Sequence, residues 1–169
     1  MLAERWKVDR FLPAGAGLAA VAAFALVTSR QTRQWQDDLS LWSHAVAVTS
    51  KNYRAEDHLG VALSDRGRLD DAIRHYQAAV RIWPDYPEGH NNLGTARMDQ
   101  RNYDDAIHEF SEASRAKPQM PTFHYNLGVA FSAKGDTASA IREIRKASAL
   151  DATSTQFRDA LRTLGDSID

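Results

Sequence analysis

Residues 53–86, YRAEDHLGVALSDRGRLDDAIRHYQAAVRIWPDY, form the first of three stretches that share one length and one pattern. The second is residues 87–120, PEGHNNLGTARMDQRNYDDAIHEFSEASRAKPQM, and the third is residues 121–154, PTFHYNLGVAFSAKGDTASAIREIRKASALDATS. A period of 34 residues that occurs three times is typical of arrays in which each unit is one pair of helices. Such units bury their apolar faces only by stacking on their neighbours, so these residues predict a stacked array.

A leucine–glycine pair and two alanines recur at the positions where two helix backbones must come close. They are Leu59-Gly60, Leu93-Gly94 and Leu127-Gly128; Ala72, Ala106 and Ala140; and Ala79, Ala113 and Ala147. A large residue, Tyr76 or Phe110, fills the gap beside them, with Ile144 as its third copy. The residues that close the units are Pro84, Pro118 and, in the third unit, Ala152.

This order of residues resembles the tetratricopeptide repeat, and the third unit departs from the pattern only at Ile144 and Ala152. The resemblance implies an all-α fold, an α-solenoid of three full repeats at 53–86, 87–120 and 121–154. Their helices are expected at about 54–66 and 70–82, 87–100 and 104–116, and 121–134 and 138–150.

Partial units are expected on both sides of the three repeats. Trp42 and Ala45 lie 34 residues before Tyr76 and Ala79, which predicts the second helix of a half repeat at about 36–49, within a junction at 30–52. A helix at 155–169 is expected to cover the last repeat, because an array needs such a cap on its final apolar surface. Its apolar face would carry Phe157, Leu161, Leu164 and Ile168.

The turns inside the repeats also have a recognisable chemistry. Gly67 and Gly135 are expected to close helices in a left-handed conformation, and Arg101 takes that position in the second repeat at some cost. The pairs Asp70-Asp71 and Asp104-Asp105 begin second helices, where the helix dipole favours acids. We therefore interpret them as capping residues and not as catalytic carboxylates.

The N-terminal part combines a basic flank at 1–10 with an apolar segment at 11–29, in which residues 11–27 carry no charge. At about 1.5 Å per residue these seventeen residues would form a helix of roughly 26 Å, close to the thickness of a bilayer core. A transmembrane helix is the preferred interpretation; a cleaved secretory signal and a buried soluble helix are the alternatives. The preferred location is a bacterial inner membrane with the array on its periplasmic side, although the flanking charges do not determine the orientation.

The junction carries a second resemblance. Its pattern, Arg30…Trp35-x-Asp37…Leu41-Trp42-x-x-Ala45, lies between an apolar segment and the repeats. It is similar to the boundary between the last membrane helix and the repeats in transmembrane-and-TPR-containing O-mannosyltransferases and their bacterial relatives. The resemblance implies the C-terminal repeat region of such an enzyme, without the acidic catalytic loop or the other membrane helices.

Composition excludes several functions. The 169 residues include no cysteine, so disulfides and thiolate metal sites are excluded. The net charge is −1, with +3 in residues 1–34 and −4 in the rest, so the repeats offer no basic face for nucleic acid. No catalytic motif, cofactor site or small-molecule substrate site is recognisable.

His90 and His124, one repeat apart, are predicted to be partly exposed helix residues and not metal ligands.

The inner face of the first helix of each repeat is the candidate binding surface. The resemblance to tetratricopeptide arrays implies that this face lines a concave groove. By repeat position the groove would contain Asp57, His58, Val61, Ser64, Asn91, Asn92, Thr95, Met98, Tyr125, Asn126, Val129 and Ser132. We select seven of them as the peptide-groove residues: His58, Asn91, Asn92, Thr95, Tyr125, Asn126 and Val129.

Asn92 and Asn126 hold the same repeat position, and the strings HNNLG and HYNLG around them are similar to the repeats of O-GlcNAc transferase. There, asparagines at this position grip the backbone of an extended peptide, a task that suits a carboxamide because it both donates and accepts. Here His58 would be a possible third member. The alternative is that the asparagines bond across repeats and hold the stack together.

The expected function is a non-enzymatic, membrane-anchored interaction module whose groove binds an extended peptide or a partner protein. Near the groove only Arg54 and Arg97 are basic, so a clamp for peptide carboxylates is not expected. The alternative function is the repeat region of a polytopic membrane O-glycosyltransferase that uses a lipid-linked sugar. Trp83 is expected to pack at the corner between repeats, with an exposed recognition role as the alternative.

Overall fold

A computed structural model of the chain describes residues 37–165. They form α1 (Asp38–Val48), α2 (Tyr53–Ser64), α3 (Leu69–Ile82), α4 (Pro87–Asp99), α5 (Tyr103–Ala116), α6 (Pro121–Lys134), α7 (Thr137–Leu150) and α8 (Thr155–Thr163). The expected segments 1–10 and 11–29 lie outside the described residues. Between residues 37 and 165 no helix is long and apolar enough to cross a membrane.

Residues 42–165 belong to one compact unit, which contains the repeats. Within it, α2 packs on α3, α4 on α5 and α6 on α7, and each pair also contacts the next one along the chain. The predicted all-α solenoid of helix pairs is therefore confirmed. All six helices begin and end within about two residues of their expected positions.

The crossing of the two helices in each repeat explains the glycine and alanine pattern. A Cβ atom added to Gly60 would lie 2.5 Å from the ring of Tyr76, and one added to Gly94 would lie 2.8 Å from the ring of Phe110. In the third repeat a Cβ on Gly128 would meet a side-chain carbon of Ile144 at 2.5 Å. All six recurring alanines have no solvent exposure: Ala72, Ala79, Ala106, Ala113, Ala140 and Ala147. The small residues therefore let the backbones approach until the large residue of the partner helix fills the space.

The three turns inside the repeats adopt one conformation with two kinds of residue. Gly67 and Gly135 have φ angles of 72° and 92°, and Arg101 has a φ of 58° at the same position of the second repeat. In each turn the next backbone amide donates to a carbonyl five residues earlier, as Asn102 does to Arg97 at 2.9 Å. The prediction for these turns is confirmed, including the unfavourable position of Arg101.

The helix starts differ from the sequence-based expectation in one respect. The acidic pairs do lie in the first turns of α3 and α5. The side chain that caps α5, however, is Asn102, which accepts a hydrogen bond from the amide of Asp105 at 3.3 Å. In α7 Asp136 accepts from the amide of Ser139 at 3.0 Å, and α3 has no side-chain cap. The capping role belongs to the residue before the helix because its side chain can accept from the backbone amide three residues later, which has no partner within the helix.

Both ends of the array carry a helix where one was expected. At the C-terminal end α8 buries Phe157 and Leu161 against Ile144 and Ala147 of the third repeat. It ends at Thr163, earlier than the expected range of 155–169, because Gly165 adopts a positive φ of 78°. At the other end no residue of α1 is buried, and its position as a half repeat stays a prediction.

Candidate peptide-binding surface

One face of α2, α4 and α6 carries the seven predicted groove residues. None of them is buried, and His58 and Thr95 are exposed. α2 contributes His58 alone, and on α4 and α6 the third residue follows the other two by three and four positions, which places each set on one side of its helix. The glycine of each of these helices lies against the large side chain of α3, α5 or α7. We call these seven residues the first-helix face.

Two of the three asparagines of this face, Asn92 and Asn126, make the same hydrogen bond in successive repeats. Asn92 donates from Nδ2 to Oδ1 of Asp57 at 2.9 Å, and Asn126 donates from Nδ2 to Oδ1 of Asn91 at 2.8 Å. Each donor is 35 residues after its acceptor, so each bond joins one repeat to the preceding one. The interpretation that these asparagines bond across repeats is thus borne out.

This arrangement determines which amide atoms remain available. Because Nδ2 of Asn92 and Asn126 donates across the repeats, the Oδ1 atom of each is left without a partner among residues 37–165. Asn91 uses its Oδ1 atom, which leaves both protons of its Nδ2 atom free within the same described range. A carboxamide that is held at one end keeps its orientation, so the face presents acceptors at two positions and a donor at a third.

The two ends of the face are occupied by ring contacts and not by further asparagines. The ring of His58 stacks on Trp42 of α1, with ring centres 4.3 Å apart and planes at 19°. Tyr125 packs on Phe157 of α8 with a centre distance of 5.1 Å. His58 is therefore placed beside the asparagines but does not share their bonding pattern within the described residues.

Asp57, one of the expected groove positions, is buried and not available on the surface. It is only 4% exposed, and besides the bond from Asn92 it accepts a hydrogen bond from the hydroxyl of Tyr86 at 3.0 Å. Burial, together with the neighbouring carboxylate, raises the pKa of Tyr86 well above its usual value, so the hydroxyl keeps its proton and donates. A buried carboxylate needs such donors, and with them Asp57 acts as a structural residue.

An aromatic cluster next to Asp57 was only partly visible in the sequence. Trp83 stacks on Tyr86 with ring centres 5.3 Å apart, and Tyr53 meets both rings edge-on at 4.8 and 4.9 Å. Trp83 packs at the corner between repeats, as expected, yet it remains 41% exposed. The signal that could have revealed the cluster is Tyr86 itself, since Met120 holds the equivalent position one repeat later.

The prediction that His90 and His124 are partly exposed is wrong, because each is 8% exposed and bonded at both ring nitrogens. Nδ1 of His90 lies 2.6 Å from Glu109, and Nε2 lies 2.7 Å from the backbone oxygen of Pro84. His124 repeats this arrangement with Glu143 at 3.1 Å and Pro118 at 3.0 Å. The missed signal is that each histidine stands six residues after a proline and nineteen before a glutamate.

The first-helix face is uncharged, which limits its chemistry. None of its seven residues is acidic or basic at neutral pH when the histidine is neutral. Of the two nearby arginines, Arg97 already donates to Gln100 at 2.9 Å and lies 3.5 Å from Asp105. In the part of the chain that the structure describes, no group of three or more residues could hold a metal ion. The face can therefore offer hydrogen bonds and apolar contacts to a neutral ligand.

A stack of helix pairs of equal length, joined by left-handed turns and by the same bond between successive repeats, defines a helical repeat protein of the α-solenoid class. Sequence models of the tetratricopeptide repeat match residues 60–101 and 91–155, which together make up more than half of the chain. The chain belongs to the tetratricopeptide repeat family. Its repeats form an interaction module of the kind that this family uses to bind proteins.

Three known proteins illustrate the similarity. Protein O-mannosyl-transferase Tmtc2 of Drosophila melanogaster is 34% identical over 70 residues, which cover 41% of this chain and 7% of that protein. The first repeat domain of Spaghetti (RPAP3), solved bound to an HSP90 peptide, is 18% identical, with a TM-score of 0.66 over 71% of this chain and 95% of that one. YrrB, a repeat protein with an unusual peptide-binding site, is 19% identical, with a TM-score of 0.67 over 73% and 64%.

These likenesses differ in what they establish. The two solved structures have low sequence identity, so they show the same fold and nothing more. The resemblance to the O-mannosyltransferases is confirmed as a local similarity of sequence, yet the chain spans less than a tenth of the length of these curated relatives. Their activity is therefore a property of proteins that are mostly made of other segments.

Proposed function

We propose that the first-helix face binds an extended segment of a partner protein, so that the array is a peptide-binding interaction module. The observation that carries this proposal is the fixed orientation of the three asparagine amides. Nδ2 of Asn92 and of Asn126 is held by a bond to the preceding repeat. The Oδ1 atoms of these two residues, and the Nδ2 atom of Asn91, have no partner among residues 37–165, and they are the groups that a peptide backbone needs as partners.

The preorganisation of these amides supports the proposal energetically. A side chain that must be ordered on binding costs roughly 0.5–1.5 kcal/mol, and the cross-repeat bonds remove that cost from both asparagines. The resulting contacts recognise the peptide unit and are indifferent to its side chains. Because the face carries no charge, the preferred segment is neutral where it crosses the asparagines.

The same bonds mean that Asn92→Ala and Asn126→Ala would change both stability and binding. A sharper test leaves the asparagines in place and blocks the face beside them. Thr95 is exposed on α4, one turn after Asn91, and its hydroxyl donates to the backbone oxygen of that residue. Thr95→Arg should therefore abolish binding of peptides selected from a random phage display library while the free energy of unfolding stays within about 0.5 kcal/mol.

The matched control is His108→Arg, which adds the same side chain at an exposed position of α5. It should leave binding unchanged when both variants are compared by isothermal titration calorimetry with one synthetic peptide. If Thr95→Arg binds as tightly as the unmodified chain, or if the library yields no binding peptide at all, the proposed function is wrong.

A second candidate function is the C-terminal repeat region of a polytopic membrane O-glycosyltransferase that uses a lipid-linked sugar. The similarity to Tmtc2 favours it, together with the apolar segment at 11–29. In this role the first-helix face would present a protein substrate, and the array would sit on the periplasmic side of a bacterial inner membrane. In-frame apolar segments encoded upstream of Met1 would support it, whereas a promoter and a ribosome-binding site there would contradict it.

Membrane attachment through residues 11–29 is a separate part of the proposal. We expect the full chain to stay in the membrane pellet after carbonate extraction and to be released only by detergent. Release by carbonate would overturn the anchor, and a mature N-terminus directly after Ser29 would show a cleaved signal instead.

A further inference from the structure

We propose that the partner segment carries one aliphatic side chain, of about the size of leucine, that inserts into a pocket between α6, α7 and α8. The inference rests on the proposed peptide-binding function, because the pocket adjoins the first-helix face. It adds a specificity that the asparagine amides cannot provide, since they recognise only the peptide backbone.

The pocket has a volume of about 170 Å³. Its walls come from all three helices at the C-terminal end of the array. They are Val129 and Ser132 of α6, Ile144 of α7, and Ala160, Thr163 and Leu164 in and just after α8. None of these residues is charged, so a charged side chain would lose its hydration there without gaining a partner.

A pocket of this volume fits one side chain and not a whole small molecule. Ligand sites for whole small molecules have volumes of roughly 300–1,000 Å³, well above that of this pocket. A cavity of about 150 Å³ with aliphatic walls, by contrast, is large enough to bind benzene. A leucine-sized group therefore fits, whereas a fused ring system or a whole peptide turn does not.

The repeat pattern accounts for the open space at this end of the array. Ala160 stands 34 residues after Asn126 and 68 after Asn92, so it holds the position of the next asparagine. Its methyl group cannot donate to Tyr125, which packs on Phe157 instead. The series of cross-repeat amide bonds thus stops at α8, and the smaller side chain leaves the space open.

The position of the pocket relative to Asn126 fits an extended peptide. Val129 follows Asn126 by three residues, or about 4.5 Å along the helix axis. In an extended chain, side chains on the same side repeat about every 6.6 Å, or two residues. A peptide whose backbone bonds to Asn126 can therefore place a neighbouring side chain in the pocket without a bend.

The pocket can be tested without any natural partner. N-acetyl-L-leucine amide, titrated into the full-length isotope-labelled chain, should cause saturable amide shifts at Ser132, Thr163 and Leu164. N-acetyl-L-aspartic acid amide is the matched negative probe. Ala160→Leu fills the pocket from α8 and should abolish the shifts, whereas Ala138→Leu on an exposed position of α7 should preserve them.

The second arm uses peptides selected from the phage library. They should share one aliphatic position, and its replacement by serine should weaken binding roughly tenfold to a hundredfold, as expected for the loss of one buried aliphatic side chain. Ala160→Leu should weaken the original peptide by a similar factor and leave the serine peptide nearly unaffected. Selected peptides without a shared aliphatic position, or an Ala160→Leu variant with full affinity, would overturn the inference and leave the proposed function standing.

Two other outcomes separate the proposals further. If the leucine probe binds and no peptide does, peptide binding is refuted, and the pocket keeps its preference for an aliphatic group. If the probe binds only to the variant Ile168→Asp, the pocket is filled by the chain's own C-terminal end. That result would overturn the proposal that a side chain of a partner fills the pocket.

Discussion

The junction between the first and second repeats uses the same positions as the junction between the second and third, but with different residues. At the first junction the acceptor is Asp57, which is buried and takes bonds from Asn92 and Tyr86. At the second junction the acceptor is Asn91, which is half-buried and takes one bond. The acceptor at the first junction is buried and shared by two donors, whereas the acceptor at the second is partly exposed and takes one donor, so the first junction should contribute more to the stability of the array.

The loss of stability on substitution should differ most between Tyr86 and Met120, which hold the same repeat position at the two junctions. Tyr86→Ala should lower the free energy of unfolding by about 3–5 kcal/mol, because it removes a buried ring and leaves Asp57 with one donor. Met120→Ala at the equivalent half-buried position should cost roughly 1–2 kcal/mol. Urea unfolding followed by circular dichroism measures both, and equal losses would show that the two junctions are equivalent.

Changes of the acceptor itself should have an intermediate effect. Asp57→Ala leaves the buried hydroxyl of Tyr86 without its acceptor and should cost about 1–3 kcal/mol. Asn91→Ala exposes Nδ2 of Asn126 to water and should cost less than about 1 kcal/mol. Urea unfolding measures both losses. If Asn91→Ala lowers the free energy of unfolding more than Asp57→Ala does, the second junction and not the first contributes more to stability.

The histidine that joins α4 to the first repeat should make stability depend on pH. Burial by itself lowers the pKa of His90, but hydrogen bonds to Glu109 and to the Pro84 carbonyl, with the nearby Glu112 charge, outweigh it and raise the pKa above 6.5. The stabilisation is therefore complete below about pH 6.5 and is lost as the pH rises through the higher pKa of the folded state. His90→Gln should flatten this part of the profile of unfolding free energy against pH, and an unchanged slope would contradict the role given to His90.

The smallest expected effect concerns the turn of the second repeat. Arg101→Gly should raise the free energy of unfolding by about 1 kcal/mol or less, because a left-handed residue with a side chain is strained. Gly67→Ala and Gly135→Ala should lower it by a similar amount at the equivalent turns. Thermal unfolding of the three variants shows whether the opposite signs appear; a loss of stability in Arg101→Gly would mean that its side chain contributes more than the strain costs.

Most of the fold could be predicted because it depends on residues that repeat. The period of 34 residues, the small residues at the helix crossings and the turns at Gly67 and Gly135 are local patterns, and each copy supports the assignment of the others. The cap was also predictable from Phe157 and Leu161, since an apolar face at the end of an array needs a neighbour.

The surroundings of single polar residues could not be predicted in the same way. His90 and His124 looked like surface residues, because their glutamates are nineteen residues away and meet them only when α4 pairs with α5, and α6 with α7. Asp57 looked like a groove residue because its buried donor, Tyr86, has no copy in the other repeats.

Repetition in the amino-acid order was sufficient to establish helix pairs, their approximate ends and the way they stack, because steric fit between small and large residues is encoded locally. Only packing in three dimensions settled which end of each asparagine amide is occupied, since that depends on an acceptor 35 residues earlier. It also settled that a pocket opens beside Ala160, where three helices meet and the last amide bond is missing. Both features arise from contacts between repeats, which no single repeat contains.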